Sequence, residues 1–129
     1  MVTTKTPTTT VRNLAPQSPK FLTWYRTDDT AVFQAFRELE VAIRAAGGFL
    51  ADDIGVPLAQ KAFGEQGPLT DKAAPSGERV ALLNMMAGVL GSYKNPHSHR
   101  RVQLSAVDAS EMIVMASHLM TVADARRPT

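Results

Sequence analysis

Residues 28–48 read DDTAVFQAFRELEVAIRAAGG, and the spacing within them decides the fold class. Val32, Phe33, Phe36, Leu39, Ile43 and Ala46 recur at steps of three and four, the interval that lines one face of a helix with about 3.6 residues per turn. Asp28 and Asp29 open the stretch, where acidic side chains favour the positive end of a helix dipole; Gly47-Gly48 closes it with residues suited to a left-handed stop. The spacing therefore predicts a helix of about five turns. Its other face carries Arg37, Glu38, Glu40 and Arg44 and reads as solvated, with Glu40 and Arg44 an i,i+4 pair in the favourable orientation.

The same reasoning extends to the rest of the chain. Val56, Leu58, Ala59, Ala62 and Phe63 predict a second, shorter helix that Asp52-Asp53 cap and Gly64 stops. Gly64 to Gly77, rich in Gly, Pro, Asp and Ser, reads as an exposed loop. A third helix starts near Gly77 or Glu78. Val80, Leu83, Met86, Leu90 and Tyr93 lie on its inner face, Leu82 and Val89 widen that face, and Lys94 falls in the last turn before Pro96 ends the helix. A fourth starts at Ser105, where Ser105 and Asp108 resemble a capping box, and continues through Met112, Met115, Ala116, Leu119, Met120 and Ala123. No segment alternates apolar and polar residues as a strand does. The prediction is an all-α bundle of four helices with antiparallel neighbours. Met85, Met86, Met112 and Met115, with Met120 nearby, read as adaptable packing between the third and fourth helices.

Upstream, residues 1–17 (MVTTKTPTTTVRNLAPQ) hold too few large apolar side chains to offset the entropy of ordering and read as a flexible tail. Residues 18–127 form one domain, since 129 residues suit a single core. Ser18-Pro19 suits a helix start, and Phe21, Leu22, Trp24 and Tyr25 predict a short apolar element packed on the bundle or on a partner. An oligomer is expected on this ground, weakened by Trp24→Ala.

Composition narrows the function classes. The chain has no Cys, which excludes disulfide frameworks, thiolate metal sites and cysteine nucleophiles and fits a reducing, cytoplasmic setting. No apolar run approaches membrane-spanning length, so no membrane association is expected. Lys5, Arg12 and Lys20 stand in a first segment without acids, which leaves eleven cations against twelve anions in the body of the chain. A phosphate-binding surface must therefore come from local clustering.

One cluster exists. Ser92-Tyr93-Lys94-Asn95-Pro96-His97-Ser98-His99-Arg100-Arg101 puts two of the three histidines beside three cations and an Asn, between two helices. Imidazole titrates near neutral pH and can take a proton from a ribose 2′-hydroxyl while neighbouring cations hold phosphate oxygens, with no metal or cofactor required. The residues also allow a plain structural reading, in which Lys94 complements a helix C-terminus and Asn95-Pro96 stops the helix.

The segment Ala31-Val32-Phe33-Gln34-Ala35-Phe36-Arg37-Glu38-Leu39-Glu40-Val41, together with Gly91 to Arg100, Pro57 to Phe63 and Pro68-Leu69, resembles the Ymh-type family of hypothetical proteins. The similarity runs from about Ala31 to Ala125. That family in turn resembles the HEPN (higher eukaryotes and prokaryotes nucleotide-binding) superfamily, helical domains of toxin–antitoxin and phage-defence systems whose active members are metal-independent endoribonucleases. The resemblance implies a HEPN-like four-helix bundle, RNA as substrate, a homodimer that brings two motifs together, and a cognate antitoxin or other protein partner. The superfamily motif is an arginine, commonly followed by a polar residue, and a histidine after four to six intervening residues. Lys94, Asn95 and His99 stand at those positions. Lysine departs from the motif and lacks the planar fork of arginine. The resemblance gives His99 the role of general base, Lys94 that of transition-state charge stabiliser and Asn95 that of orienting group. Arg100, Arg101 and His97 are candidates for phosphate or RNA binding.

Other groups carry competing readings. His97-x-His99 with Asp108 or His118 offers metal-binding residue types, but no third ligand falls at convincing spacing and the arginine pair opposes a cation, so no metal is expected. His118, on a largely apolar helix, reads as partly buried. Glu38 and Glu40 read as solvated, although acidic residues on an early helix sometimes accompany the HEPN motif. Two functions of other classes stay open beside the ribonuclease: a catalytically inactive nucleic-acid-binding or protein-interaction module of the same fold, and a structural subunit of a larger assembly.

Overall fold

A computed structural model of the chain describes residues 28–94 and 103–128. Among the described residues there are four α-helices and no strand: α1 (Asp28–Gly47), α2 (Gly55–Phe63), α3 (Ser76–Val89) and α4 (Ala106–Ala125). A five-residue π-helical turn, Leu90–Lys94, prolongs α3. The all-α class predicted from periodicity holds. The tail, residues 1–17, and the segment 18–26 lie outside the described residues.

Helix α1 forms where its spacing predicts. Val32, Phe36, Leu39 and Ile43 are fully buried, with Ala31, Ala35 and Ala46 beside them. Its end is the expected glycine stop: Gly48 adopts φ +74 and the Gly48 and Phe49 amides both donate to the Arg44 carbonyl at 2.8 and 3.0 Å. Helix α4 starts at Ser105, whose hydroxyl accepts the Asp108 amide at 3.0 Å. It buries Ala109, Ile113, Ala116, Leu119 and Ala123. Alanines at Ala31, Ala35 and Ala46 on one side and Ala109, Ala116 and Ala123 on the other keep the facing surfaces thin, which shortens the approach of two helix axes. The α1–α4 contact is the most extensive in the fold.

The direction of that pair departs from expectation. Arg127, just past the end of α4, donates to the Ala45 carbonyl near the end of α1 at 3.2 Å, so α1 and α4 run side by side in parallel. Antiparallel courses hold for α2 with α3, where Val56 lies against Gly91 while Phe63 and Arg79 line one pocket, and for α3 and its π-helical extension with α4, which share one pocket at Leu82 and Val122 and another at Tyr93 and Met112 without packing closely.

Two further details differ from the sequence reading. Helix α3 begins one residue earlier than expected, after Pro75, and buries only Met86 and Val89, while Val80 is exposed. The loop after α2 is not wholly exposed: Leu69 is fully buried and its amide donates to the Ala62 carbonyl at 2.9 Å.

Thin facing surfaces leave no room for a larger side chain. Ala116→Leu lowers stability by about 1–3 kcal/mol through overpacking, whereas Val107→Ser, at an exposed position of the same helix, changes it by less than about 0.5 kcal/mol. Urea unfolding of the two variants checks both values.

Candidate functional site

Glu40 organises the site. It stands four residues after Phe36 and three before Ile43, so it falls on the apolar stripe of α1, and it is 2% exposed. The reading of Glu40 as a solvated side chain paired with Arg44 is overturned. Its carboxylate accepts the Gly55 amide at 2.6 Å and lies 3.5 Å from the Lys94 ammonium. Arg44 instead donates to the Asp53 carbonyl at 3.1 Å.

The Gly55 amide matters because it opens α2. Ile54, the residue at the N-cap, offers no side-chain acceptor, and the first amides of a helix need one. Glu40 supplies it from a neighbouring helix and places negative charge at the positive end of the α2 dipole. Gly55 adopts φ +67, a conformation that glycine adopts without the penalty of a Cβ. The expected cap from Asp52-Asp53 is thus replaced. Asp53 serves the turn before α2, accepting the Leu50 amide at 3.0 Å and pairing with Lys61 at 2.6 Å.

Lys94 ends the π-helical turn with its side chain 13% exposed. That turn packs against α1, α2 and α3, with Leu90 buried and the Tyr93 ring tilted on Phe36 at a centroid separation of 5.5 Å. A π turn shifts the register of all that follows it, and such turns recur at functional sites. Here the shift leaves Lys94 beside Glu40. The other sequence candidates, Asn95, His97, His99, Arg100 and Arg101, lie outside the described residues.

Among the remaining candidates, Asp108 and Glu111 line a small pocket with Tyr93, Met112 and Met115. His118 is exposed rather than partly buried. Glu38 is partly exposed. Among the described residues no group of three or more His, Asp or Glu is placed to hold a metal ion, and no helix is long and apolar enough to cross a membrane.

Fold and site together define an all-α bundle in which a buried carboxylate fixes a lysine at the end of an interhelical segment rich in histidine and arginine. The family model described as a protein of unknown function (Hypoth_ymh) matches residues 24–122, and the chain belongs to that family. No curated protein and no solved structure matches the chain.

Two outcomes test this geometry. Glu40→Ala strands the Lys94 ammonium and the Gly55 amide together and costs about 3–5 kcal/mol; Glu40→Gln costs less, because an amide oxygen still accepts from Gly55. Denaturant midpoints give the order.

The Asp53–Lys61 pair predicts a pH dependence. The Lys61 hydrogen bond, with the Leu50 amide second, holds the Asp53 carboxyl below its ordinary 3.8. Asp53 in turn holds the Lys61 ammonium above its ordinary 10.5. The lowered acid contributes stability above pH 3.8 that is lost as pH falls through its folded value; the raised base contributes stability below pH 10.5 that is lost as pH rises through its own. Lys61→Met therefore reduces the loss of stability at both extremes and leaves the neutral plateau flat, as read by urea unfolding from acid to alkaline pH.

Proposed function

We propose that the chain is a metal-independent endoribonuclease with a HEPN-like bundle, acting in a toxin or phage-defence setting. The observation that carries the reading is the ion pair of Glu40 with Lys94. It restrains the one described member of the Lys94-Asn95-His99 motif, and it joins that motif to an acidic residue on an early helix. A restrained ammonium keeps donors beyond the one turned to Glu40 and needs little reorganisation when charge develops on a phosphate.

In this reading His99 takes the proton of a ribose 2′-hydroxyl and the alkoxide attacks the adjacent phosphorus. The P–O5′ bond breaks, leaving a 2′,3′-cyclic phosphate and a 5′-hydroxyl end. Lys94 stabilises the charge on the phosphoryl oxygens, Asn95 orients His99 or the phosphate, and His97, Arg100 and Arg101 bind the RNA backbone. The His99 of a second protomer protonates the leaving oxygen, so the active form is a homodimer, held in check by an antitoxin or another protein.

The same ion pair favours a second reading. A lysine already engaged by a buried carboxylate is less available to a phosphate, which suits an RNA-binding or protein-interaction module without cleavage.

Incubation of mixed RNA and tRNA with the protein in EDTA decides between them. The ribonuclease reading predicts products with cyclic phosphate ends and a loss of about 10²-fold or more in His99→Ala. A folded wild type that binds RNA and leaves it intact establishes the binding module instead.

A further inference from the structure

Helices α3 and α4 run antiparallel without packing closely, and a groove of about 470 Å³ opens along their seam. Val89 and Leu119 form its floor, and Met85 and Met115, 48% and 41% exposed, form its lips. Gly88 thins the α3 wall, since nothing lies within 4 Å of where its Cβ would stand. Tyr93 closes one end, and beyond it Asp108 and Glu111 line the adjoining pocket. Methionine lips suit an aromatic guest, because thioethers adapt their shape and make favourable contacts with ring edges. Water gains few partners on such a surface, so apolar cover stabilises it.

We propose that this groove binds the chain's own segment Phe21-Leu22-Thr23-Trp24-Tyr25. The connection is short and leaves from the right end. Parallel packing of α1 and α4 puts Asp28 at the end of the bundle where α4 begins, and Tyr93 stacks on Phe36 only eight residues into α1. Those eight residues rise about 12 Å along the helix, while the seven residues from Asp28 back to Phe21 extend up to about 25 Å. The segment offers four large apolar side chains with Thr23 among them, the composition the groove lacks. Its flank nearer α1 carries Arg26, which complements Asp108 and Glu111 at the Tyr93 end. A tether of this length supplies the segment at an effective concentration in the millimolar range, so the intramolecular guest outcompetes a second copy at ordinary protein concentrations.

Trp24 is the sole tryptophan, so its emission reports the segment directly in the full chain. The expected result is a blue-shifted emission, unchanged from nanomolar to micromolar protein, that Met85→Lys and Met115→Lys each shift to the red with a severalfold rise in acrylamide quenching. Both positions are exposed, so far-ultraviolet circular dichroism stays at the wild-type value, and Val107→Lys, away from the groove, leaves the emission as it was. Water-like emission in the wild type overturns the proposal, as does a blue shift insensitive to both groove variants. A blue shift that grows with protein concentration also overturns it and assigns the groove to a second copy.

Discussion

A carboxylate taken out of water must find hydrogen-bond donors and countercharge, because its desolvation costs several kcal/mol. Glu40 finds both in two different elements, the amide that opens α2 and the ammonium that ends the π-helical turn. Three pieces of the fold are therefore fixed by one side chain. The entry of α2 is set by an acceptor that its own cap residue does not provide, and the exit of the third helix is set by a largely buried cation at the end of a turn that packs against α1, α2 and α3. The interhelical segment that carries His97, His99, Arg100 and Arg101 departs from that anchored lysine.

Much of this frame was legible in the sequence. The apolar stripe of α1, its Gly47-Gly48 stop and the Ser105 cap of α4 each rest on local chemistry that needs no knowledge of neighbours. Glu40 escapes a reading in which charge means solvent, although its place between Phe36 and Ile43 on the helical repeat marks it as inward-facing. The parallel course of α1 and α4 has no local signal, since it depends on two intervening elements bringing the last helix back beside the first. The π turn is similar: Gly91 hints at a close approach, and a Cβ there would stand 3.3 Å from Val56, but the shift in register follows from packing against three helices.

The molecule also departs from a minimal bundle. The methionines predicted to fill the α3–α4 contact instead divide, with Met86 buried and Met85 and Met115 on the lips of an open groove. Helix α3 buries little of its own surface and is held mainly through α2 and the π turn. The chain thus pairs a tightly closed half, α1 with α4, with a half that presents apolar surface next to the candidate site.

Glu40 and Lys94 act on each other, and not merely near each other. A double-mutant cycle on equilibrium unfolding with Glu40→Gln and Lys94→Met measures that coupling directly. The expected interaction energy is about 1–3 kcal/mol; single-variant costs that simply add contradict the coupling.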